Sequence, residues 1–281
     1  MPALMPAVLI TGASTGIGEA CALHLASQGW QVFAGVRRAC DARRLAAAHA
    51  NITALLLDVT KAAHITRALK TIQAARGQRG LQALVNNAGV AVAGPLEFLP
   101  INELRQQMEV NFIAPVALTQ GCLPLLRAGR GRVVNVSSIS GKVAAPLLVP
   151  YSASKFAIEA FSDGLRRELR PWGLPVVSIV AGSIATPIWK KTVGSADAMR
   201  QRLPRRAESL YGPMMNRGYR RAERSAARGV PVEEFAALLA RILQTPRPRP
   251  RYLVGKGTWL AAGMARLLPD RWLDWLLYKT Y

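Results

Sequence analysis

The chain has 281 residues, and 51% of them are hydrophobic, which is enough for a large core and too many for a disordered protein. Its formal net charge is +21, because 37 lysines and arginines outnumber 16 acidic residues. This charge predicts either a solvated basic face or attraction to an anionic membrane surface. Nucleic-acid binding is the least favoured interpretation, since no helix-turn-helix, zinc or aromatic-stacking motif accompanies the arginines.

Cysteine and histidine spacing points to neither disulfides nor a metal. The three cysteines form no CxxC pair, so we expect buried thiols in a reducing compartment at Cys21, Cys40 and Cys122. The three histidines lack metal-ligand spacing, and no metal site is predicted. The first six residues lack the basic start of a secretory signal, and no run of about eighteen apolar residues predicts a membrane span. We therefore expect a cytoplasmic protein.

Most of the chain alternates short apolar runs with helical patterns. The runs that predict strands are residues 7–10, 31–36, 55–57, 81–85, 131–136, 176–180 and 252–254. The clearest helical patterns cover residues 19–28, 101–121, 152–169 and 232–243. Continuous apolar strands separated by helices predict an α/β fold with a doubly wound parallel sheet covered on both faces.

Two segments depart from this alternation. Residues 188–229 are rich in Arg, Met and Gly and show no strand pattern. Their composition would allow a linker, but their position after the sixth strand favours a helical lid over a substrate pocket. Residues 258–281 carry three tryptophans among leucines and basic residues, an amphipathic tail that either lies in a membrane interface or docks on protein. We expect a single catalytic domain at residues 1–257, followed by this tail.

A glycine-rich loop follows the first strand and opens the first helix. Its sequence is Thr11-Gly12-Ala13-Ser14-Thr15-Gly16-Ile17-Gly18. Glycines let the backbone turn tightly and approach a pyrophosphate, and the helix N-terminus offers free N–H groups and partial positive charge. Glycines alone also make ordinary turns, but the strand–loop–helix context predicts dinucleotide binding.

The end of the second strand bears on which dinucleotide binds. An acidic residue there usually binds the ribose 2′-OH of NAD, but this chain has Val36-Arg37-Arg38. An arginine pairs with a 2′-phosphate as a planar fork, so Arg37 favours NADP(H) over NAD(H). Solvated surface arginines are the alternative interpretation. Asp58, after the third strand, is placed to hydrogen-bond the adenine.

Three side chains could move a proton on and off a carbonyl oxygen. Tyr151 and Lys155 lie four residues apart, on one face of a predicted helix, and Ser138 lies thirteen residues before the tyrosine. A nearby ammonium would lower the pKa of the phenol from its ordinary value near 10. Ser138 would hydrogen-bond the substrate oxygen. Beside a dinucleotide, this set predicts the proton-transfer part of a hydride-transfer enzyme.

Taken together, these motifs resemble the short-chain dehydrogenase/reductase family. The matching features begin with Thr11-Gly12-x-x-x-Gly16-x-Gly18. They continue in order through Asp58-Val59, Asn86-Asn87-Ala88-Gly89, Asn111, Ser138 and Tyr151-x-x-x-Lys155 to Gly182-x-x-x-Thr186. The stretch after Tyr151 resembles the branch that acts on steroids, retinoids and related lipid alcohols. One departure is Ala181-Gly182, where members usually have Pro-Gly, which puts the rigidity of that turn in doubt.

The resemblance implies a Rossmann fold and assigns roles to individual residues. The implied catalytic residues are Ser138, Tyr151, Lys155 and Asn111, with Asn111 holding a water that passes protons between Lys155 and solvent. Lys155 would also bind the nicotinamide ribose. The implied cofactor-binding residues are Gly12, Ser14, Thr15, Gly16, Ile17, Gly18, Arg37, Asp58, Val59, Asn87, Ala88, Gly89, Tyr151, Lys155, Gly182, Ile184 and Thr186. Asn87 is expected to act mainly by bracing its strand.

An apolar pocket is expected from residues 143–149, Ile188, Trp189, Met214 and Met215, and it favours a hydrophobic alcohol, ketone or aldehyde as substrate. The first hypothesis is therefore an NADP(H)-dependent oxidoreductase of a steroid-, retinoid- or lipid-like molecule. Alternatives are a 3-oxoacyl reductase or general carbonyl reductase, and, from another class, a non-catalytic nucleotide-binding or membrane-attached scaffold. The family commonly pairs through the helices that hold Asn111 and Tyr151, so we expect a homo-oligomer.

Overall fold

A computed structural model describes residues 5–186, 194 and 197–280 and shows one seven-stranded sheet. The strands are β1 (Ala7–Thr11), β2 (Gln31–Val36), β3 (Ile52–Leu56), β4 (Ala83–Asn86), β5 (Arg132–Ser138), β6 (Val176–Ala181) and β7 (Arg251–Val254). Every neighbouring pair is parallel, in the order β3-β2-β1-β4-β5-β6-β7. The predicted doubly wound parallel sheet is confirmed.

Helices cover both faces of the sheet and extend beyond its last strand. They are α1 (Gly16–Ser27), α2 (Ala39–Ala48), α3 (Ala62–Arg76), α4 (Ile101–Met108), α5 (Ala114–Ala128), α6 (Val149–Glu168), α7 (Arg205–Ala227), α8 (Val232–Gln244), α9 (Thr258–Leu267) and α10 (Asp270–Thr280). A single π turn, Glu109–Ile113, joins α4 to α5. Each predicted helix is present, and the lid contains α7, a helix of 23 residues.

The sheet separates two hydrophobic cores because successive strand residues point to opposite faces. Along β1, Val8 and Ile10 face the core formed with α1 and α8. Ala7 and Leu9 face the core formed with α3 and α5. All of β1 and β6 is buried, which explains why these strands appear in the sequence as continuous apolar runs rather than alternating ones.

The stretch Ile101–Ala128 is, by length and composition, apolar enough to cross a membrane, and 44% of its most apolar window is buried within the protein. Buried core helices of water-soluble proteins pass the same test. Here α5 packs against the sheet through residues of the second core, including Leu118 and Leu126. The stretch therefore serves as a covering layer of the sheet.

One expectation about the thiols is wrong. Cys21 and Cys122 are buried in α1 and α5, where burial raises the pKa of each thiol to about 12. Cys40, by contrast, is exposed. It lies in α2, a helix at the edge of the sheet that buries only Asp41 and Leu45, so a small apolar side chain there has no core to enter.

Candidate active site

A cavity of about 660 Å³ lies at the carboxyl ends of the strands. The strand order reverses between β1 and β4, so the helices that follow these two strands leave on opposite faces and a crevice opens between them. The cavity runs from the glycine-rich loop to the C-terminal tail. Every predicted cofactor-binding residue except Gly18 lines it, and so do Ser138, Tyr151 and Lys155.

The glycine-rich loop has the backbone geometry that its sequence predicts. Gly12 and Gly16 adopt φ values of 65° and 61°, which residues with a side chain rarely adopt. A Cβ on Gly12 would lie 2.8 Å from Cα of Ala88, so the loop and the end of β4 approach as backbone against backbone. Gly18 lies behind the cavity, where a Cβ would fall 2.4 Å from the carbonyl oxygen of Gly12. Helix α1 begins at Gly16, so its N-terminus faces the cavity.

Hydrogen bonds from β4 and α2 hold this loop in place. Asn87 donates through Nδ2 to the carbonyl oxygens of Thr11 and Gly12, at 2.8 and 3.2 Å. The Thr11 hydroxyl accepts the backbone N–H groups of Asn87 and Ala88, both at 3.0 Å. Arg44 of α2 donates to the Ser14 carbonyl at 2.7 Å and pairs with Glu19 of α1. The bracing role expected for Asn87 is therefore visible, whereas that of Arg44 was not predicted.

The structure distinguishes the two arginines that follow β2. Arg38 pairs with Asp41 of its own α2, at 2.8 and 3.1 Å. Arg37 is exposed and lines the cavity. Asp58, in the loop that follows β3, accepts hydrogen bonds from the backbone N–H and the hydroxyl of Thr60, at 3.1 and 2.7 Å. Burial acts to raise the pKa of Asp58, but these hydrogen bonds bring it below its usual value, so the carboxylate is charged beside Arg37.

Ser138 and Tyr151 meet at the floor of the cavity. Ser138 ends β5 and Tyr151 lies in the first turn of α6. The Ser138 oxygen accepts the Ser140 N–H at 3.1 Å. Burial raises the pKa of Tyr151, and its interaction with the Ser138 side chain offsets this only in part. At neutral pH the phenol therefore keeps its proton.

Lys155 lies one turn after Tyr151 and hydrogen-bonds the backbone of β5. Its Nζ donates to the Val136 carbonyl at 2.9 Å and lies 5.8 Å from the centroid of the tyrosine ring. Burial lowers the pKa of Lys155 to about 8, against the opposing effect of the Glu159 carboxylate. Burial raises the pKa of Tyr151, and the lowering expected from Lys155 together with an oxidised nicotinamide stays a prediction.

Asn111 lies outside the cavity and braces its wall. The π turn points its side chain inward, where Nδ2 donates to the Val90 carbonyl at 2.9 Å and to the Ser154 hydroxyl at 3.0 Å. Its Oδ1 accepts the Val90 N–H at 2.9 Å. The buried Gln107 holds the same segment through Val90 and Val92, at 2.6 and 2.7 Å. The water-holding role of Asn111 stays a prediction.

A buried carboxylate that sequence reasoning overlooked lies one turn beyond Lys155. Glu159 is 4% exposed and pairs with Lys142 at 2.7 Å and Arg251 at 2.8 Å, and it accepts a hydrogen bond from Ser178. Burial acts to raise the pKa of Glu159, but these hydrogen bonds and the Lys142 charge lower it. The cluster ties α6 to β6, β7 and the turn after Ser138. Its position four residues after Lys155 was the available signal.

Apolar side chains from four segments form the other half of the cavity. Among the predicted residues, Val143, Ala145, Pro146, Leu147, Leu148 and Met215 line it, whereas Met214 and Val149 do not. Ile188 and Trp189 lie outside the described residues. The lid adds Met199, Leu203 and Tyr219, and the tail adds Met264, Leu273, Leu276 and Leu277. The tail therefore closes the cavity. Of the two alternatives expected from the sequence, its inner face takes the second, docking on protein.

The residues present fit a nicotinamide dinucleotide. The glycines leave room that side chains would fill, and the buried Thr186 hydroxyl lies on the cavity with no partner among the described residues. When bound, such a cofactor donates or accepts the hydride. Beside it, Tyr151, half-buried and protonated, would give its proton to a carbonyl oxygen, and the Ser138 hydroxyl would hydrogen-bond that oxygen. Lys155 adds positive charge below the phenol.

Comparisons with known proteins agree with this geometry. A family model described as short chain dehydrogenase matches residues 6–196. The chain belongs to the short-chain dehydrogenase family. It is therefore an oxidoreductase acting on alcohol or carbonyl groups with a nicotinamide dinucleotide, which confirms the enzyme class expected from the motifs.

Relatives and solved structures match over nearly the whole chain. An NADPH-dependent 3-dehydrocapnine reductase of Ornithobacterium rhinotracheale is 37% identical, covering 96% of this chain and 95% of the relative. Retinol dehydrogenase 5 of Mus musculus is 34% identical over 99% of this chain and 90% of its own length. A short-chain dehydrogenase structure from Streptomyces avermitilis has a TM-score of 0.79 at 26% identity, covering 99% of this chain and 98% of that one. The matches thus extend over the segment predicted to form a lid and over the tail.

Proposed function

We propose that this enzyme uses NADP(H) to interconvert a carbonyl and an alcohol on a hydrophobic, steroid-, retinoid- or lipid-like molecule. The observation that carries the proposal is the continuity of the cavity. It joins the glycine-rich loop and Arg37 at one end, passes Ser138 and Tyr151, and ends among leucines and methionines of the lid and tail. The relative named an NADPH-dependent reductase supports the choice of cofactor, and the relative named a retinol dehydrogenase supports the hydrophobic substrate.

Absorbance at the NADPH band, followed with a panel of steroid, retinal, long-chain aldehyde and 3-oxoacyl substrates, tests this function. We expect turnover of apolar carbonyl compounds, with short polar ones poor. Replacement of Tyr151 by Phe removes the proton donor and should lower kcat by roughly 10²–10⁴-fold. Unchanged turnover in Tyr151→Phe would contradict the mechanism. Preference for a 3-oxoacyl thioester would favour the alternative reductase assignment.

Arg37 carries the choice of NADP(H), because Arg38 is occupied by Asp41. An arginine–phosphate pair contributes about 1.5–3 kcal/mol, so Arg37→Gln should weaken NADPH by roughly tenfold or more and leave NADH unchanged. Arg37→Asp should go further and favour NADH. Arg38→Gln is the matched control and should leave the preference intact. Equal effects of the two Gln substitutions would refute a specific role for Arg37.

We also propose that the protein is cytoplasmic and contacts a membrane surface through the outer face of the tail. Trp259, Trp272 and Tyr278 are 69%, 67% and 74% exposed. Aromatic side chains of this kind, between basic residues, suit the headgroup region of a bilayer. Truncation before Trp259 would also open the cavity, so a Trp259→Glu/Trp272→Glu variant is the sharper test. It should lose co-sedimentation with phosphatidylglycerol vesicles and keep its turnover.

A homo-oligomer is proposed through the helices that carry the site. Ile101 of α4, Ile113 of the π turn and Phe156 of α6 are 57%, 46% and 45% exposed. Apolar side chains gathered on two adjacent helices are typical of an interface between subunits. Light scattering should give at least twice the 30.4 kDa of one chain, and Ile113→Glu/Phe156→Glu should reduce the mass to that of a monomer. Leu267→Glu in the tail is the control.

A further inference from the structure

A second cleft, of about 690 Å³, opens beside the active-site cavity. Six of the residues that line it are cations, namely Arg217, Arg220, Arg221, Arg224, Arg228 and Lys256, and we name it the arginine cleft. Among the described residues that line it, none is acidic. The family resemblance, the cofactor site and the proton-transfer residues leave this concentration of charge unexplained.

The cleft results from one face of α7. Arg217, Arg220, Arg221 and Arg224 follow one another at helical spacing, and Arg228 continues the row directly after the helix ends. Like charges at spacings of three and four residues repel and destabilise a helix. Glu223 is the only acidic residue between Arg217 and Arg228, and it is exposed. Guanidinium groups match phosphate and sulfonate oxygens in geometry and charge, so a bound anion would reduce the repulsion within this row.

The arginine cleft shares part of its wall with the active-site cavity. Ser183, Arg221 and Ser225 line both spaces. Ser183 follows Gly182, at the end of β6 where the cavity passes the predicted cofactor residues. Helix α7 itself turns Met215 and Tyr219 into the apolar cavity, so the same helix presents an apolar face to one space and a basic face to the other.

We propose that the arginine cleft binds the anionic group of an amphiphilic substrate, a phosphate or sulfonate, whose apolar part lies in the main cavity. This rests on the proposed function and narrows its substrate class. The phosphates of the cofactor have other places: the helix α1 N-terminus at Gly16 for the pyrophosphate and Arg37 for the 2′-phosphate. A membrane is a poorer partner for this surface, because the cleft is concave and shares wall residues with the cavity.

Calorimetry on the NADPH-saturated protein tests the proposal without requiring turnover. The probes are decyl phosphate, decan-1-ol and inorganic phosphate. We expect decyl phosphate to bind at least tenfold more tightly than decan-1-ol, and inorganic phosphate more weakly than decyl phosphate. An Arg220→Gln/Arg224→Gln/Arg228→Gln variant should lose this preference. An Arg202→Gln/Arg205→Gln/Arg206→Gln variant, with the same change in charge near the other end of α7, should keep it.

Several results would overturn the proposal. Equal binding of the two decyl probes, or an equal loss in both triple variants, would show that the arginine cleft has no specific anion site. Inorganic phosphate binding as tightly as decyl phosphate would indicate a site for free phosphate. Weaker NADPH binding in the cleft variant would assign the arginines to the cofactor. Loss of binding to phosphatidylglycerol vesicles, with the decyl phosphate preference kept, would assign them to a membrane. Failure of the proposed function would appear separately, as absent turnover with the carbonyl panel.

Discussion

Replacement of Gly18 by alanine tests the packing that positions the dinucleotide loop. A methyl carbon there would lie 2.4 Å from the Gly12 carbonyl oxygen and 2.5 Å from Nδ2 of Asn87. Both distances are roughly 1 Å shorter than ordinary contacts, and the first neighbour is backbone that cannot rotate away. Overpacking of this kind costs about 1–3 kcal/mol, offset by the up to about 1 kcal/mol that alanine gains over glycine in a helix.

We therefore expect Gly18→Ala to lower the free energy of unfolding by about 1–2 kcal/mol, and Tm by about 2–6 °C. Because the Gly12 carbonyl must move, NADPH binding should weaken by at least about tenfold, which ligand-induced protein fluorescence would measure. Gly164→Ala in α6 is the control, since a Cβ there meets no atom within 4 Å. It should raise stability by about 0.5–1 kcal/mol and leave NADPH affinity unchanged. Wild-type Tm and affinity in Gly18→Ala would refute the packing argument.

Three further substitutions probe the site's supports. Glu159→Gln should cost about 2 kcal/mol, less than the 3–5 kcal/mol of a fully buried pair because Lys142 and Arg251 reach solvent. The folded-state pKa of Glu159 is lowered, so thermal unfolding should show this difference in full above pH 4.5 and a smaller one as pH falls further. Asn111→Ala leaves the Val90 N–H without its partner, whereas the Val90 carbonyl keeps Gln107, and should cost about 1–3 kcal/mol in chemical denaturation, with an unchanged denaturation midpoint as the contradicting result. Leu276→Ala should raise KM for apolar carbonyl substrates, whereas Leu267→Ala, at a side chain 81% exposed, should not.

The fold was predictable because its signals are local. Buried parallel strands give continuous apolar runs in the sequence. All seven strands are present, and every boundary except the start of β3 lies within about two residues of its predicted position. The glycine-rich loop and the Tyr151–Lys155 pair are likewise recognisable from a few consecutive residues of the sequence. The proposal for Arg37 came from its position after β2, and the structure adds that the neighbouring Arg38 pairs with Asp41.

Supports that join distant segments could not be predicted in this way. Glu159 meets Arg251 across 92 residues of chain, and Asn87 meets Gly12 across 75, so neither contact leaves a local pattern. The burial of a side chain also depends on distant segments, so its effect on a pKa leaves no local pattern. The pKa of Tyr151 rises because the fold removes water from the phenol, and a sequence shows only the ammonium four residues away. Spacing thus predicts which groups share a face, whereas the folded surroundings decide their charge.

The tail shows how two alternative interpretations can both describe one segment. In α10, Leu273, Leu276 and Leu277 line the cavity, while Trp272 and Trp275 are 67% and 57% exposed. A helix of period 3.6 with apolar residues on both faces has two surfaces to bury. The inner one is buried against the substrate cavity. An apolar substrate leaving a bilayer would thus meet the outer face of the same element that closes its binding site, so altering the outer face should slow the turnover of vesicle-bound substrate and leave that of dissolved substrate unchanged.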